Sequence, residues 1–297
     1  MLDFILNPAS GNGAGVRCAE ICKREMERRG VDFIFHTTDK TGDAEKIAAE
    51  CVSKKSRAVV VTGGDGSVQE AAGALAGSGI PLGIIPAGSG NDFVASVYGG
   101  KNRDPLFFLE KILRGEKRKI DLIRCAVGEA GQTEHFFANI GSVGLDAEIV
   151  DKADDFKKTF GRFAYIVSTV YNAFTHKPCR ISAEADGYSV NESLCLVSVC
   201  NGGVYGGGFK IAPFAVPDDG LITLCVIKPL SKIKILALFP SVLIGRHVDF
   251  KEVYFHSTKN VRIEYDGVKK LNLDGNIFYY ESPVSFAIAP AALTIFK

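Results

Sequence analysis

The sequence predicts a two-domain protein, in which an N-terminal α/β domain with a parallel sheet is followed by a C-terminal antiparallel β-sandwich. The chain has 297 residues, of which 46% are hydrophobic, so it is long enough to bury two cores of ordinary size. In the first half, short apolar runs alternate with helical segments, a pattern that favours crossover connections between parallel strands. From about residue 135 the runs alternate apolar and polar positions, as half-buried strands do. We therefore expect one domain over 1–127 and a second over 128–287.

The elements of the first domain follow from this alternation. Strands are expected in LDFIL, VDFIFH, AVVVT, PLGIIP and KIDLIRCAV. Helices are expected in VRCAEICKREMERRG, TGDAEKIAAECVSKK, SVQEAAGALAG, NDFVASVYGG and PLFFLEKILRGE. Because helical segments separate each strand from the next, the strands should run parallel, with their carboxyl ends at one edge of the sheet.

The second domain is marked by turns and by two helical interruptions. Asp-Gly pairs at 186–187, 266–267 and 274–275 close apolar runs, and this dipeptide is typical of tight hairpin turns. The segments FKKTFGRFAYIVSTVYNAFTHK and LSKIKILALFPSVLIGR are apolar with Lys or Arg near their ends, and they are expected to be helical. The polar stretch GEAGQTEH, residues 128–135, is the predicted boundary between the domains.

Composition narrows the classes of function. A formal charge of +1 gives no support for a nucleic-acid partner, although a local basic patch stays open. The eight cysteines include no Cys-x-x-Cys pair and the N-terminus lacks a signal-peptide pattern, so we predict a cytoplasmic protein. The longest apolar run is short and contains Pro240, so no transmembrane helix is expected. The oligomeric state stays open, a homodimer included.

Three glycine-rich loops are predicted to lie at the same edge of the parallel sheet. Each follows a strand and precedes a helix: NPASGNGAG (7–15), GGDGSVQE (63–70) and PAGSGNDF (86–93). Glycines leave backbone N–H groups uncrowded, and a helix N-terminus carries partial positive charge, so such loops suit phosphates. A strand-to-helix turn can also use glycine for geometry alone.

Two loops contain pairs with the spacing of a capping box: Ser67 with Glu70, and Ser89 with Asp92.

Charged residues in these loops suggest a nucleotide and a metal ion. Asp65 lies inside the second loop, where a carboxylate would repel phosphates unless a cation such as Mg²⁺ separates them. Arg17 follows the first loop and could reach a phosphate, or could simply face solvent. Neither a Walker A motif nor a Gly-x-Gly-x-x-Gly dinucleotide pattern is present. The loops are therefore predicted to bind a nucleotide together with Mg²⁺.

Motifs along most of the chain resemble the diacylglycerol kinase catalytic family, specifically the soluble bacterial lipid kinases related to sphingosine and ceramide kinases. The motifs are NPASG (7–11), GGDGSVQE (63–70), PLGIIPAGSGNDF (81–93), KIDL (119–122), NIGSVGLDA (139–147), GRFAY (161–165), NGGVYGGGFKIAPFAVPDDGL (201–221) and LDGN (273–276). The resemblance implies a nucleotide-binding first domain, a sandwich with a lipid groove, and ATP-dependent phosphorylation of a lipid hydroxyl in the cleft between them. It also implies that 288–297 packs back on the first domain.

The resemblance also implies roles for single residues. The candidates for nucleotide binding, with Arg17 added from its position, are Asn7, Ser10, Gly11, Arg17, Gly63, Gly64, Gly66, Ser67, Gly88 and Ser89. Asp65, Asp92 and Asp121 would be acidic residues of the reaction centre and position Mg²⁺ directly or through water. Asp219 and the main-chain oxygen of Leu221 match a second, structural Mg²⁺ site. Asp92, Asp121 and Asp219 could instead be a helix cap, a strand-start acid and a turn residue, whereas Asp65 has little evident structural role.

One position departs from the family pattern. The family motif near the C-terminus is Asp-Gly-Glu, whose glutamate is the proposed base for the lipid hydroxyl, and Asn276 stands at that position here. An amide cannot accept the proton. Asp274 and Glu281 are the nearest carboxylates that could replace the base.

We therefore predict an ATP- and Mg²⁺-dependent lipid kinase of phospholipid biosynthesis, acting on diacylglycerol or a related lipid. Two alternatives are an NAD kinase-like enzyme, which shares the GGDG loop, and a non-catalytic lipid- or nucleotide-binding regulator that has lost its base. A cytoplasmic lipid kinase must dock transiently at the inner membrane face, and 156–177 resembles an interfacial helix unless its apolar stripe is sandwich core. Its basic residues are Lys157, Lys158, Arg162 and Lys177, and its apolar stripe contains Phe163, Tyr165, Ile166 and Phe174.

Overall fold

The computed structural model describes residues 1–100, 102–128, 133–161 and 164–297, without the side chains of 154, 157 and 158. The chain forms two compact units. Unit 1 contains residues 1–122, 217–219 and 289–297, and unit 2 contains 123–216 and 220–288. Residues 129–132 of the predicted boundary segment lie outside the described residues. The fold class predicted from the sequence, a mostly parallel α/β domain and an antiparallel sandwich, is confirmed.

Unit 1 is built on a parallel sheet flanked by helices. Its elements are β1 (Leu2–Leu6), α1 (Ala14–Arg29), β2 (Phe33–Thr37), α2 (Asp43–Ser53), β3 (Val59–Gly63), α3 (Asp65–Leu75), β4 (Leu82–Pro86), α4 (Asp92–Tyr98) and α5 (Pro105–Arg114). Two longer strands, β5 (Lys117–Val127) and β16 (Val284–Phe296), each contribute residues to both units. The strand order is β2-β1-β3-β4-β16, and the neighbouring strands pair in parallel.

Burial explains why these segments form this sheet. Every residue of β3 and β4 is buried, as expected for parallel strands that are covered on both faces. In α1 the buried residues recur at one-turn spacing, at Gly15, Ala19, Cys22 and Met26, so one face of the helix packs inward. The parallel arrangement brings the carboxyl ends of β1, β3 and β4 to the same edge.

The helix starts differ from the capping boxes expected from sequence. α3 begins at Asp65, so Ser67 lies inside the helix and does not cap it. The Glu70 carboxylate instead accepts the backbone N–H groups of Gly42, at 2.9 Å, and Ala44, at 3.2 Å, at the start of α2. α4 likewise follows Asn91 and not Ser89. The expected capping boxes are therefore wrong, and at the start of α4 the carboxylate of Asp65, from another segment, accepts the N–H groups instead.

The described residues of unit 2 form two antiparallel sheets and three α-helices. Its elements are β6 (Thr133–Phe137), β7 (Ile140–Gly144), α6 (Leu145–Phe160), α7 (Ala164–Thr175), β8 (Cys179–Ala185), β9 (Tyr188–Leu194), β10 (Leu196–Cys200), β11 (Ile222–Ile227), α8 (Lys232–Ile244), a 3₁₀ helix (Arg246–Asp249), β12 (Val253–Thr258), β13 (Asn260–Tyr265), β14 (Val268–Leu273) and β15 (Asn276–Glu281). One sheet has the order β12-β11-β10-β7-β14-β15, and the other contains β16-β13-β8-β9.

Two cores hold these layers together. The first lies between the sheets and includes Val197, Leu224, Ile263 and Phe286. The second lies between the six-stranded sheet and α6–α8, where side chains such as Ile149 and Leu238 pack on the outer face of the sheet. The segments of this unit that were predicted to be helical are helical. The segment 156–177, however, is not one helix, because it contains the end of α6 and the whole of α7.

The Asp-Gly pairs have two different roles. Asp274 and Gly275 both adopt positive φ angles, of 50° and 92°, and join the paired strands β14 and β15 in a tight hairpin, as expected. The pair at 186–187 also joins paired strands, β8 and β9. The pair at 266–267 joins β13 to β14, which belong to different sheets, so the hairpin expected there is wrong and the turn is a corner of the sandwich.

Candidate functional site

The three glycine-rich loops meet in unit 1, as the sequence predicts. A Cβ on Gly11 would lie 2.1 Å from the Ala87 carbonyl oxygen, so the first and third loops touch through their backbones. A Cβ on Gly88 would lie 2.6 Å from the Cα of Gly64, so the second and third loops also touch. No side chain fits at either contact, which explains why glycine occupies these positions.

Side chains join the first loop to the second. The Asn7 amide donates a hydrogen bond to the Ser67 hydroxyl at 2.9 Å, and its oxygen accepts the Ala9 backbone N–H at 3.1 Å. Ser10 is buried, with its hydroxyl 3.4 Å from the position that a Cβ on Gly64 would take. The structure therefore brings Asn7, Ser10 and Ser67 together around the second loop.

Open space and positive charge remain beside these contacts. A Cβ on Gly66, in the first turn of α3, would meet no atom within 4 Å. The exposed Arg17 places a guanidinium nitrogen 3.7 Å from the position of a Cβ on Gly13, at the start of α1. Together with the helix N-termini, this arrangement can accommodate a phosphate group.

Asp65 has a structural role that the sequence did not reveal. Its two carboxylate oxygens accept the backbone N–H groups of Asn91, at 2.8 Å, and Phe93, at 3.1 Å, where α4 begins. Burial raises the pKa of the Asp65 carboxyl above its ordinary value, and the backbone hydrogen bonds, including one from Asp92, only partly offset this effect. Asp65 therefore holds the second loop to the start of α4.

Asp92 lies beside Asp65, and Gly90 separates them. A Cβ on Gly90 would lie 3.0 Å from Oδ2 of Asp65 and 3.1 Å from Oδ2 of Asp92, so a larger residue would fill the space between the two carboxylates. Hard carboxylate oxygens are the ligands that Mg²⁺ prefers, and this pair fits that ion. Asp121 is also buried, and its carboxylate accepts the Ala291 N–H at 2.7 Å, which anchors β16 within unit 1.

The remaining predicted residues of unit 1 lie at its loops. Gly63 ends β3, and its Cβ would lie 3.0 Å from that of Ser67. Ser89 is exposed, and its carbonyl oxygen accepts a hydrogen bond from Arg103 at 2.7 Å. Asp219 is exposed and belongs to unit 1, whereas Leu221 belongs to unit 2, so their metal site stays a prediction.

In unit 2, Asp274 supports the backbone near Asn276. Its carboxylate accepts N–H groups from Ala138, Asn139 and Ile140 at 2.7–3.2 Å, where β7 begins. Asn276 follows the turn as the first residue of β15. Glu281 ends the same strand, about 16 Å farther along at the usual rise per residue. Neither carboxylate therefore occupies a position equivalent to a side chain at 276.

An apolar pocket beneath α6–α8 is the feature of unit 2 that sequence reasoning missed. Its volume is about 50 Å³, and its walls include Ile149, Leu230, Leu238 and Phe239. Nothing in the sequence pattern separates these residues from ordinary core residues.

The pocket has one polar region, at Asp146. This buried carboxylate accepts hydrogen bonds from the Tyr205 hydroxyl and from the Asn272 amide, at 2.9 Å, and the Tyr165 hydroxyl lies 3.3 Å away. Burial, together with the nearby Asp146 charge, raises the pKa of Tyr205 well above its ordinary value, so this hydroxyl stays protonated. Asp146 and Tyr165 lie in the motifs NIGSVGLDA and GRFAY, which could have drawn attention to them.

We expect Gly88→Ala to destabilise unit 1 by about 1–3 kcal/mol, because the new methyl group would collide with the backbone of Gly64. Gly66→Ala is the matched control, since its Cβ meets open space inside a helix and should leave stability unchanged or raise it by up to about 1 kcal/mol. Urea unfolding measures both. Equal stability of the two variants would contradict the close approach of the loops.

We expect Asp65→Ala to destabilise the protein, because it leaves the N–H groups of Asn91 and Phe93 without their acceptor, at about 1–3 kcal/mol for each. The control is Asp32→Ala, which removes an exposed carboxylate before β2. Chemical denaturation again provides the measurement. If the midpoint denaturant concentration of both variants equals that of the wild-type protein, the structural role assigned to Asp65 is contradicted.

Family models match both halves of the chain. The model described as the diacylglycerol kinase catalytic domain matches residues 2–125. The model described as the YegS C-terminal NAD kinase beta sandwich-like domain matches residues 139–297. No helix among the described residues is long and apolar enough to cross a membrane.

Relatives resemble the chain over nearly its full length. A diacylglycerol kinase of Mycobacterium tuberculosis is 33% identical over 294 residues, covering 99% of this chain and 94% of the relative. A diacylglycerol kinase of Bacillus subtilis is 26% identical, covering 92% and 88%. A Shewanella frigidimarina protein described as a YegS-like lipid kinase is 26% identical, covering 98% and 91%.

Solved structures share the fold. A crystal structure described as a diacylglycerol kinase from Bacillus anthracis str. Sterne has a TM-score of 0.72 at 21% identity, covering 99% of this chain and 96% of that one. Another structure from the same organism has a TM-score of 0.79 at 24% identity, with the same coverage. Taken with the matches in sequence, the chain belongs to the diacylglycerol kinase catalytic family, related to the YegS-like bacterial lipid kinases, and is a lipid kinase.

Proposed function

We propose that the protein transfers the γ-phosphoryl group of ATP to the hydroxyl of diacylglycerol, which yields phosphatidic acid. The observation that carries this proposal is the meeting of three glycine-rich loops around Ser10, Ser67 and the start of α3. The names of the Mycobacterium tuberculosis and Bacillus subtilis relatives support diacylglycerol as the acceptor.

The loops would bind the phosphates of ATP through their backbone N–H groups. Gly64 and Gly88 keep side chains away from the backbone, and the hydroxyls of Ser10 and Ser67 add donors. Arg17 would supply positive charge from the start of α1. Phosphoryl transfer proceeds through a loose transition state, so positioning and charge neutralisation of this kind are the main contributions that a protein makes.

Asp65 and Asp92 would hold Mg²⁺ in this proposal, and Asp121 would act through water or through its support of β16. Mg²⁺, when bound, neutralises the charge that develops on the phosphate oxygens. Asp65 also keeps the second loop against α4, so its carboxylate has a fixed orientation without the ion. The second, structural Mg²⁺ at Asp219 and Leu221 remains part of the proposal.

The pocket of unit 2 would take the lipid. Its walls are mainly apolar, as an acyl chain requires, and the hydroxyls of Tyr165 and Tyr205 with Asp146 provide polar groups. At about 50 Å³ the pocket is small for a whole acyl chain, so α7 and α8 must separate to admit one. Pro240 lies inside α8 and removes one hydrogen bond of that helix, which favours such a movement.

A surface beside this pocket suits transient contact with a bilayer at the inner membrane face. Ile166, Val170 and Phe174 recur at one-turn spacing along α7 and are 46%, 43% and 55% exposed. Lys232 lies over the Phe174 ring at 5.6 Å, which adds positive charge at the edge of this stripe. Tyr165, expected in the stripe, faces the pocket instead. Arg162, Phe163 and the side chains of Lys157 and Lys158 lie outside the described residues.

We expect labelled phosphate from ATP to enter diacylglycerol in mixed micelles and not NAD.

We also expect Leu230→Trp, which narrows the pocket, to raise the KM for diacylglycerol at least about tenfold, because one apolar contact is worth roughly 1–3 kcal/mol in a binding site. The KM for ATP should not change. Val268→Trp is the control, since Val268 is exposed on β14 away from the pocket. Transfer to NAD alone would overturn the proposed function, whereas an unchanged lipid KM would overturn only the pocket.

We expect Asn276→Glu to raise kcat, by up to about 10²- to 10⁴-fold if no other group accepts the proton, with little change in the KM for ATP. Asn260→Glu, at the start of β13, introduces the same charge elsewhere in unit 2 and serves as the control. Asp274→Ala is a poorer probe, because it also removes the acceptor of three backbone N–H groups. An unchanged kcat in a folded Asn276→Glu protein would show that another group already serves as the base.

A further inference from the structure

Three potential metal ligands of different chemistry meet on one face of the sheet of unit 1. They are Asp3 on β1, His36 on β2 and Cys51 on α2. A carboxylate oxygen, an imidazole nitrogen and the sulfur all lie within 4.8 Å of one another. Among the residues that the structure describes, no other group of three His, Cys, Asp or Glu side chains is this close.

The sheet register explains why these residues meet. His36 pairs with Ile5, and Asp3 lies two residues before Ile5 on the same strand, so both side chains point to the same face. The Nε2 atom of His36 lies 3.0 Å from Oδ1 of Asp3. Cys51 belongs to the buried side of α2, and the Ser56 side chain hydrogen-bonds its sulfur.

Burial makes this an unusual place for charge. Asp3 and Cys51 are only 6% and 2% exposed, and β1 is otherwise apolar. A buried carboxylate requires a compensating partner, and a partly exposed imidazole, with 25% of its side chain accessible, provides one in the absence of an ion. That hydrogen bond alone gives no role to the sulfur beside it.

We propose that Asp3, His36 and Cys51 bind a Zn²⁺ ion, at a site separate from the carboxylates assigned to Mg²⁺. Tetrahedral zinc takes imidazole nitrogen, carboxylate oxygen and thiolate sulfur at about 2.0–2.3 Å, so neighbouring ligand atoms lie roughly 3.3–3.8 Å apart. On binding, the 3.0 Å distance between Nε2 of His36 and Oδ1 of Asp3 would widen slightly, and any separation near the 4.8 Å upper limit would shorten. A thiolate ligand disfavours Mg²⁺ and Ca²⁺, which prefer oxygen.

Protons and charges balance on binding. The Cys51 thiol releases its proton to solvent, and His36 keeps its ring proton on Nδ1 while Nε2 ligates the ion. The thiolate and the Asp3 carboxylate then neutralise the two positive charges of Zn²⁺. Since His36 is partly exposed, water can reach the fourth position. The ion would cross-link β1, β2 and α2 and thereby stabilise this side of unit 1.

Cobalt substitution tests the site in the full-length chain. Metal-free protein, reduced with a non-thiol reagent, is titrated with Co²⁺ without oxygen. We expect a near-ultraviolet thiolate-to-cobalt absorption band that saturates at one ion per chain and disappears on addition of Zn²⁺. Zn²⁺ should also raise the melting temperature of the wild-type protein. Circular dichroism checks the fold of every variant.

Three variants make the test specific. Cys51→Ala should abolish the band, and His36→Gln should weaken Co²⁺ binding by at least about tenfold. Cys22→Ala, which removes a buried thiol of α1 outside the cluster, should retain the wild-type titration. Because His36 is partly exposed, its variant remains informative if Cys51→Ala fails to fold. The proposal is overturned if the wild-type protein gives no band, if the band survives Cys51→Ala, or if His36→Gln binds Co²⁺ as tightly as wild type.

Discussion

Backbone contact between the loops after β3 and β4 is the constraint on which the rest of unit 1 depends. Gly64 and Gly88 approach so closely that a Cβ on Gly88 would lie 2.6 Å from the Cα of Gly64, and a Cβ on Gly64 would lie 3.2 Å from the Cα of Gly88. This approach places the start of α4 within reach of Asp65, whose carboxylate accepts two of its N–H groups. The same approach fixes the position of the second loop against Asn7 and Ser10. A loop surface formed in this way is already ordered before a ligand arrives, which lowers the entropic cost of binding.

Carboxylates that accept backbone N–H groups recur across the molecule. Glu70 does this at the start of α2, Asp121 does it at Ala291, and Asp274 does it before β7. A carboxylate has two acceptor oxygens and no donor, so it suits a segment that exposes several N–H groups. Glycine-rich chain loses much conformational entropy on folding, and such bonds offset part of that cost. An acidic residue in a motif of this fold can therefore be structural, catalytic or both.

One network in unit 2 joins several buried polar side chains. Asp146, Tyr205 and Asn272 are hydrogen-bonded together within a region that is otherwise apolar. Buried polar groups are costly unless satisfied, so a network of this kind fixes the positions of its members. In the proposed lipid site, the network would supply hydrogen-bonding groups beside apolar walls.

The amino-acid sequence alone predicts the fold class, the course of most strands and helices, and the meeting of the three loops. Those features follow from apolar periodicity and from the placement of glycine, which act over a few neighbouring residues. The folded structure was needed to establish the partners of Asp65 and Glu70, the corner at 266–267, the inward direction of Tyr165 and the grouping of Asp3, His36 and Cys51. These depend on contacts between segments far apart in the chain, and a single sequence contains no local signal for which of several acceptors, faces or sheets a residue will meet.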